Sequence, residues 1–240
     1  NVIQHATMQY NWIKYLRKEK SNVRAPGKNV MEAFYFGFNN RDTVMYDIVV
    51  KLDADLVLPE NYLEVIMRNF KKKPQIGICG GVCVVQNGSE YIIEQETNLD
   101  HIRGAIKAYR RECFEAIGGL LKHMGWDTVD EHSARFQGWI VSVLPNLKVV
   151  HQRSTHQEYG VVKAAFRNGQ MLYSIRMDII LLFSNIVKKF FKKPYLILGV
   201  SMFVGYVSAF FSRYNKIVDK DLGRFIRKYR YNKLLKIFLK

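Results

Sequence analysis

A chain of 240 residues can bury the core of one large domain and still carry an appendage, and its 48% hydrophobic and 13% aromatic content excludes a disordered protein. Its 3 cysteines are too few and too irregularly spaced for a disulfide framework or a CxxC-type zinc site, and this favours a reducing cytosol. The formal charge is +16, and the segment from residue 161 onward holds seventeen Lys and Arg against three Asp, so the basic character belongs to the C-terminal third.

Residues 1–45 carry the least decisive pattern. The opening "NVIQHATMQY" has neither the basic nor the apolar region of a signal peptide, and the lack of an initial methionine is typical of a fragment. After the turn sequence "APGKN", the stretch "VMEAFYFGFN" predicts a short helix with Ala33 and Phe34 facing inward.

Residues 47–153 have the texture of an α/β domain, because short apolar strands alternate with helical stretches and glycine-rich turns. A proline is tolerated in the first turn of a helix, so one helix is predicted over 59–70. We assign 1–160 to this domain and 161–240 to a helical, basic tail. The apolar positions of the helix are Leu63, Ile66, Met67 and Phe70, and the predicted strands are 47–52, 76–85, 139–145 and 147–151.

The stretch "KLDADLVLP" places Asp53 and Asp55 directly after the first strand. Ligands of open α/β sheets bind at the carboxyl ends of strands, and two carboxylates there can hold Mg²⁺ or Mn²⁺ together with a diphosphate. The alternative is an ordinary boundary, in which an aspartate turns the chain and caps the next helix. The spacing alone leaves both interpretations open.

A second acidic group lies in "GWDTVDEHSARFQGW", where Asp127, Asp130 and Glu131 are surrounded by glycine and tryptophan. Asp127 and Glu131 share a face if a helix begins near Asp127. A carboxylate in an aromatic pocket can act as a general base, since partial desolvation raises its proton affinity. Taken alone, the pattern is better explained by a capped surface helix with solvated acids, because acidic helix starts are common.

The two acidic groups belong to an ordered series of motifs that resembles the family 2 glycosyltransferases. The series is "LDAD" followed by "LP" and a helix, then "GAIKAYRRECFEAIGGL", then "GWDTVDEHSARFQGW", then "LPNLKVVHQRST", and it covers roughly residues 20–155. The family pattern of an arginine before paired glycines is met by Arg110 or Arg111 and by Gly118 with Gly119. The resemblance implies the A-type fold, Rossmann-like with a mixed central sheet.

In this family the catalytic base is an aspartate some eleven residues before a glycine, which matches Asp127 and Gly138. The family often has Glu-Asp at this point, whereas this chain has Trp126 before the aspartate, so Asp130 and Glu131 stay as alternative bases. Family members also open with strands that hold the nucleobase and ribose, and no such segment precedes Asn1. The resemblance therefore implies a catalytic domain that lacks its N-terminal nucleotide-binding segment.

The implied reaction is a single displacement that inverts the anomeric centre. Asp55, helped by Asp53, would hold Mn²⁺ or Mg²⁺ on the donor diphosphate, and Asp127 would accept the proton of the acceptor hydroxyl.

Three further residues have candidate roles. His151, in "VVHQR", is a third candidate for the metal or the diphosphate, although a lone histidine at a strand end is more often structural. His101 and Arg103, in "DHIRGA", are candidates for contact with the diphosphate or the acceptor, and a solvated loop is the simpler interpretation.

The tail predicts contact with a membrane. Residues 194–212 form an uncharged run flanked by Lys and Arg, at the lower limit of length for a span, and a buried hairpin or an in-plane helix are the alternatives. Near the C-terminus, apolar residues alternate with basic ones at helical spacing, as in a helix lying on an anionic membrane. These apolar residues are Leu222, Phe225, Ile226 and Tyr229.

The sequence thus predicts a metal-dependent enzyme at the cytoplasmic face of a membrane, peripheral or with one short membrane segment. It would transfer a sugar from a nucleotide-sugar donor to a polyprenyl-linked or cell-surface glycan acceptor. The alternatives are an inactive scaffold with the same fold and, on charge alone, a nucleic-acid-binding protein. No recognised nucleic-acid motif accompanies the charge, so a nucleic-acid partner is not expected.

Overall fold

The structure is a computed structural model, and it describes residues 2–19, 25–42, 45–94, 100–152, 160–190 and 193–238. Strands occupy the first two thirds of the chain together with five of the described helices, and four helices follow. The strands are β1 (Ile48–Leu52), β2 (Leu56–Val57), β3 (Ile76–Asn87), β4 (Glu90–Ile93), β5 (Ile106–Arg110) and β6 (Ile140–His151). The helices are α1 (Val2–Gln9), α2 (Lys28–Asn39), α3 (Tyr62–Lys72), α4 (Arg111–Ala116), α5 (Trp126–Phe136), α6 (Val161–Ser174), α7 (Ile179–Phe190), α8 (Ile197–Phe211) and α9 (Lys220–Phe238).

The strands form one mixed sheet in the order β1-β5-β3-β6-β2, with β4 paired to β3. β3 and β6 are parallel, and β5 is antiparallel to both of its neighbours, β1 and β3. It follows that β1, β3 and β6 run in the same direction and end at the same edge of the sheet. The chain enters β5 at that same edge. The predicted α/β class with a mixed central sheet is confirmed.

The predicted strands at 47–52 and 76–85 are present, the predicted strands at 139–145 and 147–151 form the single strand β6, and β5 is not among the predicted strands. β5 is short, and its sequence "IKAYR" carries two basic residues that mask its burial on both faces. Beyond it, Gly118 and Gly119 both adopt positive φ, of 73° and 77°, which explains the paired glycines that end this block.

Two helices differ in detail from the prediction. α3 begins at Tyr62 and buries Tyr62, Ile66 and Phe70, whereas Leu63 and Met67 remain about half exposed. In α2 the inward residue is Met31, and the predicted inward residue Ala33 is exposed. Residues two apart in a helix point in nearly opposite directions, so burying Met31 turns Ala33 outward. Phe34 packs against the core as predicted.

A second hydrophobic core lies among α6 to α9 and reaches α5 through Val129. Within it, α6 and α8 approach each other at two glycines. A Cβ added at Gly169 would lie 1.9 Å from the Met202 carbonyl oxygen, and one added at Gly205 would lie 2.0 Å from the Phe166 carbonyl oxygen. Gly205 of the uncharged run therefore serves backbone contact between α8 and α6.

The predicted membrane features of the tail take another form. The run 194–212 contains α8, of 15 residues, and no helix in the described part of the chain combines the length and the apolar character needed to cross a bilayer. In α9, Leu222 and Ile226 are buried, the Phe225 ring lies 5.4 Å from that of Phe136, and the Tyr229 ring contacts α5. The prediction that this apolar face lies on a membrane is wrong, because protein covers it.

Candidate active site

Polar side chains gather at the sheet edge where β1, β3 and β6 end. Asp53 and Asp55 follow β1, His151 is the last residue of β6, and the segment 101–105 leads into β5. Two backbone hydrogen bonds fix these pieces: the Asp53 N–H donates to the Ala105 carbonyl at 3.0 Å, and the Gln152 N–H donates to the Asp55 carbonyl at 3.0 Å. Residues far apart in sequence therefore meet because β5 pairs with β1 and β2 pairs with β6, each pair antiparallel.

Asp55, His151 and Glu94 form a linear cluster. His151 Nε2 lies 3.6 Å from Asp55 Oδ2, and on the other side of the ring Nδ1 lies 3.3 Å from Glu94 Oε2. Arg103 also reaches Glu94, at 3.5 Å. Glu94 and His151 are buried, whereas the Asp55 side chain is 35% exposed. The exposed end of the cluster is thus a carboxylate and an imidazole nitrogen.

The arrangement of these groups suits a histidine that ligates a metal through one ring nitrogen while a carboxylate holds the other nitrogen. If Glu94 accepts the Nδ1 proton of His151, a neutral ring presents the lone pair of Nε2 towards Asp55. Two acceptors then face each other, and a cation between them satisfies both. A carboxylate that orients a ligating histidine through its other nitrogen is the usual supporting arrangement in metal sites.

Two side chains are an adequate protein contribution for Mn²⁺ or Mg²⁺, which keep water and phosphate oxygens as their remaining ligands. Among the residues that the structure describes, no group of three or more His, Cys, Asp or Glu side chains is arranged around one ion position. Asp55 and His151 therefore fit a shared site for such an ion, completed by a diphosphate.

Asp53 takes a different partner. Its carboxylate pairs with the Lys51 ammonium, and Lys51 is only 6% exposed and lies 5.5 Å from the centroid of the Trp126 ring. Of the three predicted metal ligands, the structure thus brings Asp55 and His151 together and directs Asp53 to a lysine.

Asp127 lies in the first turn of α5, where the helix dipole favours a carboxylate. Its side chain is 32% exposed, and its Oδ2 lies 3.9 Å from His101 Nε2. The segment before β5 can approach this turn because it carries a glycine: a Cβ at Gly104 would lie 2.7 Å from the Trp126 ring and 3.1 Å from Asp127 Cβ. Asp127 and His101, both predicted from sequence, are therefore neighbours.

Asp130 and Glu131 lie in a buried polar network beneath Asp127. Lys107 Nζ contacts Asp130 at 2.8 and 3.0 Å and Glu131 at 3.1 Å, and the Tyr109 hydroxyl donates to Asp130. Lys107 also donates to the Asp127 carbonyl. Side-chain exposures of 1% for Asp130 and 3% for Glu131 leave neither acid a path to solvent.

The network sets the charges of its members. Burial and the Glu131 charge raise the pKa of Asp130, against the opposing effect of Lys107. Burial alone would also raise the pKa of Glu131, but Lys107, His101 and Arg135 together lower it below its usual range. Burial raises the pKa of Tyr109 well above its ordinary value, so this hydroxyl keeps its proton and remains a donor. The network therefore fixes the start of α5 with charged and donor groups.

Four residues of this edge were not found from the sequence: Lys51, Glu94, Lys107 and Tyr109. The two lysines had a visible signal, since each interrupts a short apolar strand, and the structure pairs them directly across β1 and β5. A charged residue at a buried strand position requires a partner, and the partners are Asp53 for Lys51 and the acids of α5 for Lys107. Glu94 follows an exposed two-stranded ribbon and has no such signal.

No protein-family model and no curated protein matches the sequence. Among solved structures, the chain is similar to a mannosyltransferase of Pyrobaculum calidifontis in complex with GDP-Man and Mn²⁺. The identity is 15%, the match covers 97% of this chain and 66% of the other, and the TM-score is 0.47. It is also similar to GalNAc-T7 with UDP, GalNAc and Mn²⁺, at 13% identity over 70% of this chain and 41% of the other, with a TM-score of 0.49. The chain thus spans about two thirds and two fifths of the matched chains, and similarities of this size assign neither a family nor an activity.

Proposed function

We propose that the chain is a metal-dependent glycosyltransferase of the A-type fold that moves a sugar from a nucleotide-sugar donor to an acceptor hydroxyl. The observation that carries the proposal is the pairing of two different sites at one sheet edge. Asp55 and His151, supported by Glu94, offer ligands for a divalent ion, while Asp127 offers a partly exposed carboxylate on the neighbouring helix. A metal-dependent transfer that inverts the anomeric centre uses both, the ion for the diphosphate and the carboxylate for the acceptor hydroxyl.

The donor side consists of Asp55, His151 and Glu94. Asp55 and His151 would hold the divalent ion, Mn²⁺ or Mg²⁺, which when bound would neutralise the charge that develops on the departing diphosphate. Glu94 fixes the orientation of the His151 ring through Nδ1. Asp53 restrains the buried Lys51 and so the end of β1, which positions Asp55 two residues later.

The acceptor side depends on Asp127. Its carboxylate accepts the proton of the acceptor hydroxyl, whose oxygen bonds to the anomeric carbon as the bond from that carbon to the diphosphate oxygen breaks. Attack from the face opposite the diphosphate inverts the anomeric centre. Burial and ion pairing argue against the alternative bases, since Lys107 holds both Asp130 and Glu131 and Arg135 also holds Glu131. Asp127 is therefore the proposed catalytic base, and the two buried acids are positioning residues.

The proposed acceptor is lipid-linked or surface-bound, and an exposed apolar surface on α7 and α8 supports contact with an anionic membrane at the cytoplasmic face. The rings of Phe183 and Phe203 lie 6.2 Å apart across the two helices, with exposures of 52% and 38%. Lysines at the end of α7 and before α8 flank this surface, which suits anionic headgroups. We name it the α7–α8 face; its other exposed apolar residues are Ile179, Ile180, Val187, Leu196, Ile197, Val200 and Val204.

Liposome flotation tests this surface. Phe183→Asp is expected to weaken binding to anionic vesicles about tenfold, because it removes one large apolar side chain from the contact. Met67→Asp is the matched control, since Met67 is 48% exposed on α3, outside the proposed contact. Equal binding by the wild type and both variants would remove the α7–α8 face from the proposal.

Turnover of the donor tests the enzymatic function. The wild type is assayed against a panel of UDP- and GDP-sugars with and without Mn²⁺, beside Asp55→Ala and the control Asp42→Ala, whose side chain is 81% exposed. We expect Mn²⁺-dependent release of the nucleoside diphosphate by the wild type and Asp42→Ala, and a loss of at least a hundredfold in Asp55→Ala. Binding of a donor with no turnover by any of the three proteins supports the inactive scaffold instead.

A further inference from the structure

A cavity of about 190 Å³ lies between α5 and α9, and His101, from the segment before β5, is one of its lining residues. We call it the α5–α9 cavity. His101 links it to the proposed active site, because the same ring lies 3.9 Å from Asp127 and 3.2 Å from Glu131. The residues that matter for its chemistry are His101, Glu131, His132, Arg135, Tyr229 and Arg230.

Two buried polar atoms of residues that line this cavity have no hydrogen-bond partner among the described residues. In the described part of the chain, the buried side-chain nitrogen and oxygen atoms without a hydrogen bond are His132 Nδ1 and Arg230 Nε. Both belong to residues that line the α5–α9 cavity, and His132 is only 2% exposed. Native proteins rarely leave buried polar groups unsatisfied, so two such groups on residues that line one cavity indicate a ligand that satisfies both.

The charges of the cavity favour an anion. Its carboxylates are already paired: Glu131 contacts Lys107 and Arg135, and Asp100 contacts Lys233. Arg230, in contrast, forms no ion pair within 4.0 Å among the described residues and remains positively charged in the wall.

The remaining walls are pre-organised. Arg135 NH2 donates to the Asp100 carbonyl at 2.6 Å, and its guanidinium lies 5.2 Å from the centroid of the Tyr229 ring. The His132 ring contacts the same tyrosine at 5.2 Å. Burial is the main cause that lowers the pKa of His132 to about 3, so its ring is neutral at physiological pH and donates through one nitrogen only. The tautomer with a proton on Nδ1 offers that donor to the cavity.

We propose that the α5–α9 cavity binds a phosphate-type oxyanion carried by the acceptor, with the Arg230 guanidinium and the His132 Nδ1–H as its donors. The inference rests on the proposed function and names the acceptor class: a phosphate ester whose hydroxyl-bearing part extends past His101 to Asp127. The phosphate belongs either to a lipid phosphate or to a soluble sugar phosphate, and both present the same oxygens to the two donors.

The test uses inorganic phosphate, a short-chain prenyl phosphate and the corresponding phosphate-free alcohol, with binding followed by isothermal titration calorimetry on the full chain. We expect the two phosphates to bind the wild type and Arg230→Met to lose at least tenfold in affinity. The control Arg224→Gln lies on the same helix, with a side chain that is 73% exposed and paired with Asp221. It is expected to bind like the wild type. Tighter binding of the prenyl phosphate indicates a lipid source, and equal binding a soluble one.

Thermal unfolding separates a binding role from a structural one. Removal of an unpartnered buried charge is expected to raise the Tm of Arg230→Met above that of the wild type without ligand. Phosphate is expected to raise the Tm of the wild type and of Arg224→Gln, but not that of Arg230→Met. A lower Tm for Arg230→Met together with unchanged phosphate binding would overturn the inference, as would no phosphate binding by the wild type.

The two proposals fail separately. Turnover of a nucleotide-sugar by a wild type that binds no phosphate rules out the oxyanion site and leaves the proposed enzymatic function unaffected. Phosphate binding through Arg230 in a wild type that turns over no donor removes the acceptor role and the enzyme together.

Discussion

The sheet half of the molecule, residues 48–152, and the helical half, residues 160–238, differ in how far the sequence reveals their candidate functional residues. In the sheet half, Asp55 and His151 stand at strand ends, and strand ends are visible as the points where apolar runs stop. In the helical half, Tyr229 and Arg230 belong to a helix whose sequence looks like a membrane-surface helix. Only the fold shows that this helix covers α5.

The two halves contribute to the proposed function in different ways. Chemistry at the sheet edge depends on topology, because parallel strands end together and bring distant residues to one place. The helical half adds positive charge to that edge through a helix that packs against α5. In the proposed mechanism, the reacting groups therefore belong to the sheet half, and the acceptor binds at the boundary between the halves.

The largest expected effect concerns two acids three residues apart on α5. Asp127→Asn is expected to lower kcat about a thousandfold with little change in stability, because the proposed base is lost and its exposed position tolerates an amide. Asp130→Asn is expected to lower the free energy of unfolding by about 3 kcal/mol, because it leaves Lys107 buried with one carboxylate fewer. Steady-state kinetics and urea denaturation of both variants make the check. Loss of activity in a stable Asp130→Asn with an active Asp127→Asn would exchange the two roles.

A second prediction tests how the helical half is assembled. Gly169→Ala is expected to lower the free energy of unfolding by about 2 to 3 kcal/mol, because the new Cβ collides with the backbone of α8 at 1.9 Å. Gly37→Ala in α2 is the control, since no atom lies within 4 Å of its Cβ, and there alanine should stabilise the helix by about 0.5 to 1 kcal/mol. Urea denaturation measures both. A neutral Gly169→Ala would show that α6 and α8 do not depend on backbone contact.

The smallest predicted effect is a pH dependence at the boundary between the halves. Burial is the main cause that lowers the pKa of His132 to about 3, whereas an unfolded imidazole titrates near 6.5. Below pH 6.5, His132 therefore binds a proton in the unfolded chain but not in the folded chain. The free energy of unfolding then falls as the pH falls, by about 1 kcal/mol between pH 6.5 and 5.5.

Urea denaturation at pH 7.5, 6.5 and 5.5 follows this loss, and His132→Phe should lack most of it. Glu131, whose pKa is lowered in the folded chain, adds a loss of the same sign only below its ordinary value of 4.5, outside this range. An identical slope in the wild type and His132→Phe would contradict the burial of a neutral imidazole.

Much of the sheet half could be predicted from the sequence because its signals are local. The pair Asp53 and Asp55 follows an apolar run, and the acids of α5 follow a glycine-rich turn. The different fates of these acids could not be predicted. Lys51 pairs with Asp53 two residues along the chain, and Lys107 of β5 meets Asp130 of α5 only in the folded structure. A contact between a strand and a helix is not visible in the residue spacing of either one.

The sequence of the helical half led to a wrong prediction for α9. The spacing of apolar residues shows that a helix face is covered, but not whether protein or membrane covers it. Leu222 and Ile226 repeat as in a membrane-surface helix, and here protein covers them. Glycines in the run 194–212 are common in membrane helices, yet Gly205 meets the backbone of α6. The exposed apolar residues are instead on α7 and the outer side of α8, and only a packed structure separates the two sides.

Binding of Mn²⁺ in the presence of a nucleoside diphosphate, followed by the paramagnetic resonance signal of the free ion, tests the central claim most directly. The account predicts that the wild type binds Mn²⁺, that Asp55→Ala and His151→Ala lose at least tenfold in affinity, and that Glu94→Gln loses about tenfold through its hold on His151. Asp53→Ala should stay close to the wild type, since Asp53 is paired with Lys51. Mn²⁺ binding that survives both Asp55→Ala and His151→Ala, or that disappears only in Asp53→Ala, would contradict the account.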